Sequence, residues 1–383
     1  GRQRPGAPIA SGSGTRERIF AARHTTRTVA IGFALPGVPF STRGTMLRVD
    51  ALSCAPSTAP ELGSKILLWA RPFMEGCLWT NRRFRFVGDQ DEALLYLAAW
   101  QFVMGDIAAN RALLDDIGSL PAADALERLS PGRFRASSLA SLVEETGIPR
   151  ETARRKLAAL VRRGLFVAHD DSTFRLARLS ADILDLARPA FGLARWMLVF
   201  HGRPAEALGD PRSLRSVGSL IRLYLSAYII LAKERRIHTG GTSQVSIQMS
   251  LMLMHVLKAE KILSIEGPPA RWDFPTFVSL ALRLMDEPYD LREVSRLADL
   301  PMSAVRSGCR RLAEVNGLVT LIDGETLRVG GRELSVRNIS ERRFYSPGVE
   351  RRLTVFAARV LERGVRASIH RGTVYPEGIA PGR

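Results

Sequence analysis

Thirty residues at positions 137–166, SSLASLVEETGIPRETARRKLAALVRRGLF, leave this chain little freedom in how they fold. Ser137 or Ser138 precedes a segment whose apolar residues Leu139, Leu142 and Val143 recur at helical spacing, so a serine hydroxyl is placed to cap its first amides. Gly147 supplies a left-handed turn that residues with a Cβ resist. Ile148 is apolar and fills the angle between two helices, and the second helix starts at about Pro149, where a missing N–H costs no intrahelical bond. In that helix Ala153, Leu157, Leu160 and Val161 form an inward stripe, which leaves Arg150, Glu151, Thr152, Arg154, Arg155 and Lys156 pointing outward or sideways.

Beyond Gly164 the pattern alternates, through Leu165 and Val167, a turn at Asp170, Asp171 and Ser172, then Phe174 and Leu176, which predicts a two-stranded hairpin. Helix, turn, basic helix and hairpin in this order resemble the winged helix-turn-helix regulators of bacteria. The run Pro149-Arg150-Glu151-Thr152-Ala153-Arg154 is similar to the start of the recognition helix in the GntR and MarR classes. The resemblance implies base and phosphate contacts from Arg150, Thr152 and Arg154, and an approach of Thr173 and Arg175, on the hairpin, to the neighbouring backbone or minor groove. Arg155 and Lys156 extend the basic face, and Glu151 is able to accept a hydrogen bond from cytosine N4. An arginine-rich amphipathic helix by itself is ordinarily a solvated face; the joint occurrence of cap, glycine turn, apolar plug, basic helix and hairpin favours DNA.

A second copy spans Asp290 to Val329. Leu139 matches Leu291, Leu142 matches Val294, Ile148-Pro149 matches Leu300-Pro301, Arg154 matches Arg306 and Leu160 matches Leu312. Asp323-Gly324 is its hairpin signal. An earlier helix is duplicated too, Leu95-Tyr96-Leu97-Ala98-Ala99-Trp100 resembling Leu223-Tyr224-Leu225-Ser226-Ala227-Tyr228, with an insertion in the second half expected at the helix from Val245 to Ile262. The copies are unequal. Gly308 replaces Lys156 and Ser307 replaces Arg155, while Ser303, Arg306, Arg310 and Arg311 keep polar and basic character; a mid-helix glycine costs about 1 kcal/mol. Asp323 and Glu325 are acids that phosphates repel. The first copy is therefore the stronger DNA reader, and the second a weaker reader, a pairing surface or a degenerate remnant.

The formal net charge of +17 favours polyanions, although about half of it falls in residues 1–85. The amino-terminal stretch mixes Gly, Pro, Ser, Thr and Arg without a period, and residues 1–64 are expected to be unstructured, or, for the part before Met46, the first methionine, to lie upstream of the true start. No apolar run is expected to reach the length a membrane span requires. Cys54, Cys77 and Cys309 show no metal or disulfide spacing, and Cys309, at the position of Leu157, is expected to be a core residue. No phosphate-binding loop with lysine, nucleophile elbow, zinc-protease helix or strand-flanked dinucleotide motif occurs, and neither catalysis, metal nor cofactor is expected.

The expected fold is mainly α with small β-hairpin wings, two winged helix-turn-helix domains joined by long helices. The divisions are 65–185 for a helix plus the first domain, 186–265 for a helical connector, 266–335 for the second domain and 336–383 for a basic helix and tail, with Val349–Arg363 as its helix. The methionine-rich helices between the two copies, including one expected from Pro275 to Met285, fill a core or line a cleft for a small-molecule effector or a face for self-association. The expected function is a cytoplasmic transcription regulator that binds double-stranded DNA as an internal pseudo-dimer or a homodimer, with no membrane partner. A plasmid-type replication initiator, which also carries tandem winged helices, and a winged-helix scaffold for protein binding are the alternatives.

Overall fold

The computed structural model describes residues 59–114, 117–170, 172–200, 208, 213–239, 243–266, 283–284, 287–316, 319–323, 325–329 and 347–370. The expected helix from Pro275 to Met285 and the tail beyond His370 therefore lie outside the described residues, the pair 283–284 excepted.

The chain is mainly α. Helix α1 spans Ala59–Arg83, so part of the stretch expected to be unstructured is helical; Pro60, in its first turn, removes only an amide that has no intrahelical acceptor. Helix α2 (Gln90–Ala109) starts with a reciprocal capping box. The Asp89 carboxylate accepts from the Glu92 amide at 3.0 Å, and the Glu92 carboxylate accepts from the Asp89 amide at 3.2 Å. Helix α3 (Ala122–Arg128) and a bend lead into strand β1 (Ser137–Ser138), α4 (Leu139–Thr146), α5 (Arg150–Arg162) and the hairpin β2 (Phe166–Ala168) and β3 (Thr173–Leu176). Three long helices follow, α6 (Ala187–Phe200), α7 (Leu214–Thr239) and α8 (Ser243–Glu266). The chain then forms β4 (Pro288–Asp290), α9 (Leu291–Ala298), α10 (Met302–Asn316), β5 (Val319–Leu321) and β6 (Thr326–Val329), and α11 (Pro347–His370) ends the described part.

The same arrangement is built twice. Each module is a strand, two helices and a hairpin, and each hairpin's second strand is central in a three-stranded antiparallel sheet, in the orders β1-β3-β2 and β4-β6-β5. The bonds repeat as well. Leu139 N donates to Ser172 O and Leu291 N to Glu325 O, at 2.6 and 2.8 Å; His169 N and Ile322 N donate across the hairpin to Thr173 O and Thr326 O, both at 3.0 Å. Ser138 caps α4 through the Ser141 amide, and Asp290 caps α9 through the Arg292 amide. Both first helices end in a left-handed residue, Gly147 at φ 66° and Asp299 at φ 53°.

Helices α2 and α7 carry the two similar hexapeptides and pack on one another, burying Leu95 through Trp100 and Tyr224 through Tyr228. The stretch Leu214–Arg236 of α7 is long and apolar enough to cross a bilayer, against the expectation that no run would be; here it is packed by α2, α6, α8 and α11, with 67% of its apolar window buried. The modules rest on different supports. The first leans on α2 and α7, with Tyr96 edge-on to Phe166. The second shares its core with α8: Ile247, Leu251 and Met254 pack with Tyr289, Leu291, Val294, Val305, Cys309, Leu312 and Leu327. The segment expected to be a connector is thus a structural floor. Helix α11 buries Phe356 and Val360 against α6 and α7 and leaves Arg351 and Arg352 exposed.

Candidate nucleic-acid interface

The turn between α4 and α5 is held from behind by the end of α7. Lys233 donates to Glu144 O, and Arg236 donates to Gly147 O at 2.9 Å, so two cations sit where α4 leaves its last carbonyls unpaired. Arg236 also pairs with Asp91 at 3.2 Å, both side chains mostly buried, and burial holds the Asp91 pKa above the usual range despite Arg236. Gly147 is needed twice here, for its positive φ and because a Cβ would stand 2.8 Å from Lys233 Cγ.

Helix α5 buries Ala153, Leu157 and Leu160, and Ile148 is fully buried between the helices. Its outward face is Glu151, Arg154, Arg155, Ala158 and Arg162, at the i, i+3, i+4, i+7, i+11 spacing of one helical stripe, with Arg150 exposed at the start. Arg154 pairs with Glu151 at 3.1 Å, both well exposed, a contact of little worth in water. Arg150, Arg155 and Arg162 have no carboxylate partner among the described residues.

Four expected positions sit differently. Lys156 does not face solvent: its ammonium lies on Asp89 and 3.6 Å from Glu92, with 21% of the side chain exposed. Burial alone would lower its pKa, and the two carboxylates outweigh that and raise it. Arg163 joins the same cluster, 3.1 Å from Glu92, and donates to Phe86 O at 2.8 Å. Lys156 therefore docks α5 onto α2. Thr152 is half-buried. Thr173, expected to reach DNA, donates its hydroxyl to Asp170 at 2.8 Å, and the neighbouring Arg175 is half-buried, its Nε enclosed with no acceptor among the described residues.

Sequence reasoning missed what shapes both hairpin tips. Asp170 accepts from the amides of Ser172 and Thr173, and Asp323 from those of Glu325 and Thr326, an Asp-x-x-Thr spacing present twice in the chain. The Ser172 amide and the Thr173 hydroxyl pull the Asp170 pKa down to about 2. His169, beside it, is exposed.

In the second module Ser303, Arg306, Ser307, Arg310 and Glu314 form the equivalent outward stripe of α10, with Arg311 exposed beside it. Glu325 lies 2.8 Å from Arg292 and 3.8 Å from Arg306, so part of this face is neutralised internally. Gly308 is buried, and a Cβ there would lie 2.3 Å from Ile247 Cδ1. Positions 156 and 308 thus do one job, docking the second helix, by an ion pair in one copy and close helix approach in the other. Cys309 is fully buried, and burial pushes its thiol up to about 12.

Among the described residues no group of three or more His, Cys, Asp or Glu side chains is placed to hold a metal. Compared with known proteins, the chain matches no family model, no curated protein and no solved structure.

Proposed function

We propose that the two modules are tandem winged helices and that the chain is a sequence-specific double-stranded DNA-binding protein, a cytoplasmic transcription regulator that works by binding rather than catalysis. The carrying observation is the outward stripe of α5: the lysine and arginine of its inner side are spent on Glu92 and its neighbours, while Arg150, Arg155 and Arg162 remain uncommitted around Glu151 and Arg154. A helix of this width and charge fits the major groove. Arginines there neutralise phosphates and set register, and Arg150, Glu151, Thr152 and Arg154 lie at the end where base edges are read.

The second module, with Arg306 shared with Glu325, is the weaker reader, its outward contacts being Ser303, Arg306 and Arg310. A plasmid-type replication initiator is the second reading, since one chain carries the same strand, helix, helix and hairpin arrangement twice.

Selection of duplexes from a random pool by the full chain, followed by a salt titration, tests the proposal. The expected outcome is an enriched motif with steep salt dependence, weakened by Arg150→Ala or Arg154→Ala more than by Arg310→Ala. A direct-repeat array among the selected duplexes favours the initiator. No affinity for duplex DNA at low salt refutes both and leaves a protein-binding scaffold.

A further inference from the structure

The turn that joins α1 to α2 belongs to neither outward stripe, yet it touches both modules. On one side, Arg163 at the end of α5 donates to Phe86 O at 2.8 Å and pairs with Glu92. On the other, Arg85 places its two terminal nitrogens on the end of α9, 2.8 Å from the Asp299 carboxylate and 2.7 Å from Ala298 O. Arg83 adds a fork to Asp182 and Asp185, at 2.7 and 2.6 Å, in the segment that follows β3. The turn is not free to drift, because Phe84 is fully buried against Tyr96. Gly88, at φ 134°, leaves no room for a Cβ, which would lie 2.6 Å from Arg163 Nη1. Asp299 is itself the single non-glycine residue of positive φ among the described residues, and this places its carboxylate at the negative end of α9, next to the last carbonyls.

We propose that the turn 83–92, acting through Arg85 and Arg163, sets the separation and relative orientation of α5 and α10, and so the spacing of the two DNA segments that one chain reads; the DNA part rests on the function proposed above. On α8 the second module is held by apolar contact, which is non-directional, and by hydrogen bonds to β4, His255 with Tyr289 at 2.7 Å and Lys258 to Pro288 O at 2.8 Å; Arg85 adds a separate anchor at the end of α9, and a second anchor fixes an orientation that the first alone leaves open. A guanidinium fork on a carboxylate and a carbonyl at one helix end is directional. Arg85 is thus a positioning residue: it holds α9, and α9 carries α10.

Two readouts test this in the full chain. Spin labels at Ala158→Cys and Ser307→Cys, both exposed positions on the outward stripes, report the separation of α5 and α10 without DNA, with Cys54→Ser in the background and Cys77 and Cys309 protected by burial. The expected result is one narrow distance population in the parent and a broader or displaced one in Arg85→Ala. Asp299→Asn, which keeps a residue tolerant of the left-handed conformation, produces the same change, and the double variant adds nothing further. An unchanged distribution in both single variants overturns the proposal. In selections from a random duplex pool, the parent enriches paired half-sites at one spacing, and Arg85→Ala enriches the same half-sites at several. Its affinity for the parental spacing falls roughly two- to fivefold while that for the first half-site alone is kept. Retention of the single spacing also overturns the proposal, whereas failure of the parent to enrich any duplex sinks the DNA-binding reading and leaves the spin-label result to decide the role of Arg85.

Discussion

Placing lysine at Gly308, as at the matching position of the first module, separates two accounts of why the modules differ. If Gly308 were a decayed DNA contact, Gly308→Lys would stabilise α10 by about 1 kcal/mol through helix propensity and return a cation to the outward face. The structure requires the reverse. The new Cβ falls 2.3 Å from Ile247 Cδ1, in a core where Ile247 is 1% exposed. Overpacking costs about 1–3 kcal/mol, and an unpaired ammonium in an apolar contact adds several more. The alternative is for the module to lift from α8, which uncovers Ile247, Leu251 and Met254 at about 1.5–3 kcal/mol each. The cheaper route still leaves a net loss of about 3 kcal/mol or more. Gly308→Ala meets only the movable tip of Ile247, so propensity and crowding roughly cancel and its stability stays within about 1 kcal/mol of the parent. Urea unfolding followed by circular dichroism gives the loss, and amide exchange over 288–329 shows whether it is local. A Gly308→Lys variant as stable as the parent, with exchange protection intact, would refute the docking argument.

Other outcomes follow from the same geometry. Lys156→Ala should lower stability by about 1 kcal/mol, because Asp89 loses its cation and Glu92 keeps only Arg163, and should hardly alter the salt dependence of the proposed DNA binding; Arg155→Ala should do the opposite, lowering the salt slope by about 1 at nearly constant stability. Gly147→Ala should cost about 1–3 kcal/mol from the left-handed backbone and the Lys233 stem, measured by the same unfolding assay; a stabilising effect would contradict the turn geometry. His255 donates to or accepts from Tyr289 at 2.7 Å, and burial, with Lys258 beside it, brings its pKa down to about 4. The unfolded chain takes up this proton first as pH falls, so the stability contribution is complete above about pH 6.5 and is lost towards pH 4, at most about 3 kcal/mol. His255→Gln should flatten that part of the stability profile, and an unaltered profile would exclude the histidine as its source.

Backbone punctuation was legible in the sequence because it acts locally. Ser138, Gly147, Pro149 and the apolar stripe of α5 each work within one turn of chain; the structure places Ser138 and Gly147 in those roles, sets Pro149 just before the helix as its N-cap, and buries Ala153, Leu157 and Leu160 of the stripe with Val161 half-buried at its edge. The direction of Lys156 was not legible. Periodicity separates apolar from polar faces, and a lysine on the flank of the apolar face turns inward only because α2 brings two carboxylates to it from more than sixty residues away. Gly308 looked like helix damage for the same reason, its function residing in α8. The Asp89-x-x-Glu92 box and the paired Asp-x-x-Thr tips do have a fixed local spacing and were legible in principle, being made within four residues of chain. The supporting cations Lys233 and Arg236 carried no local signal at all.

The shared core of the second module bears on how the protein can be taken apart. Three of its ten central side chains belong to α8, upstream of β4, so a fragment beginning at residue 287 would present an apolar wound where Ile247, Leu251 and Met254 had been. The first module is no easier to excise, since the cations that support its turn lie on α7, beyond its own hairpin. Each copy is completed by a long helix outside the repeat, and any dissection that respects the sequence repeat will cut through the physical unit.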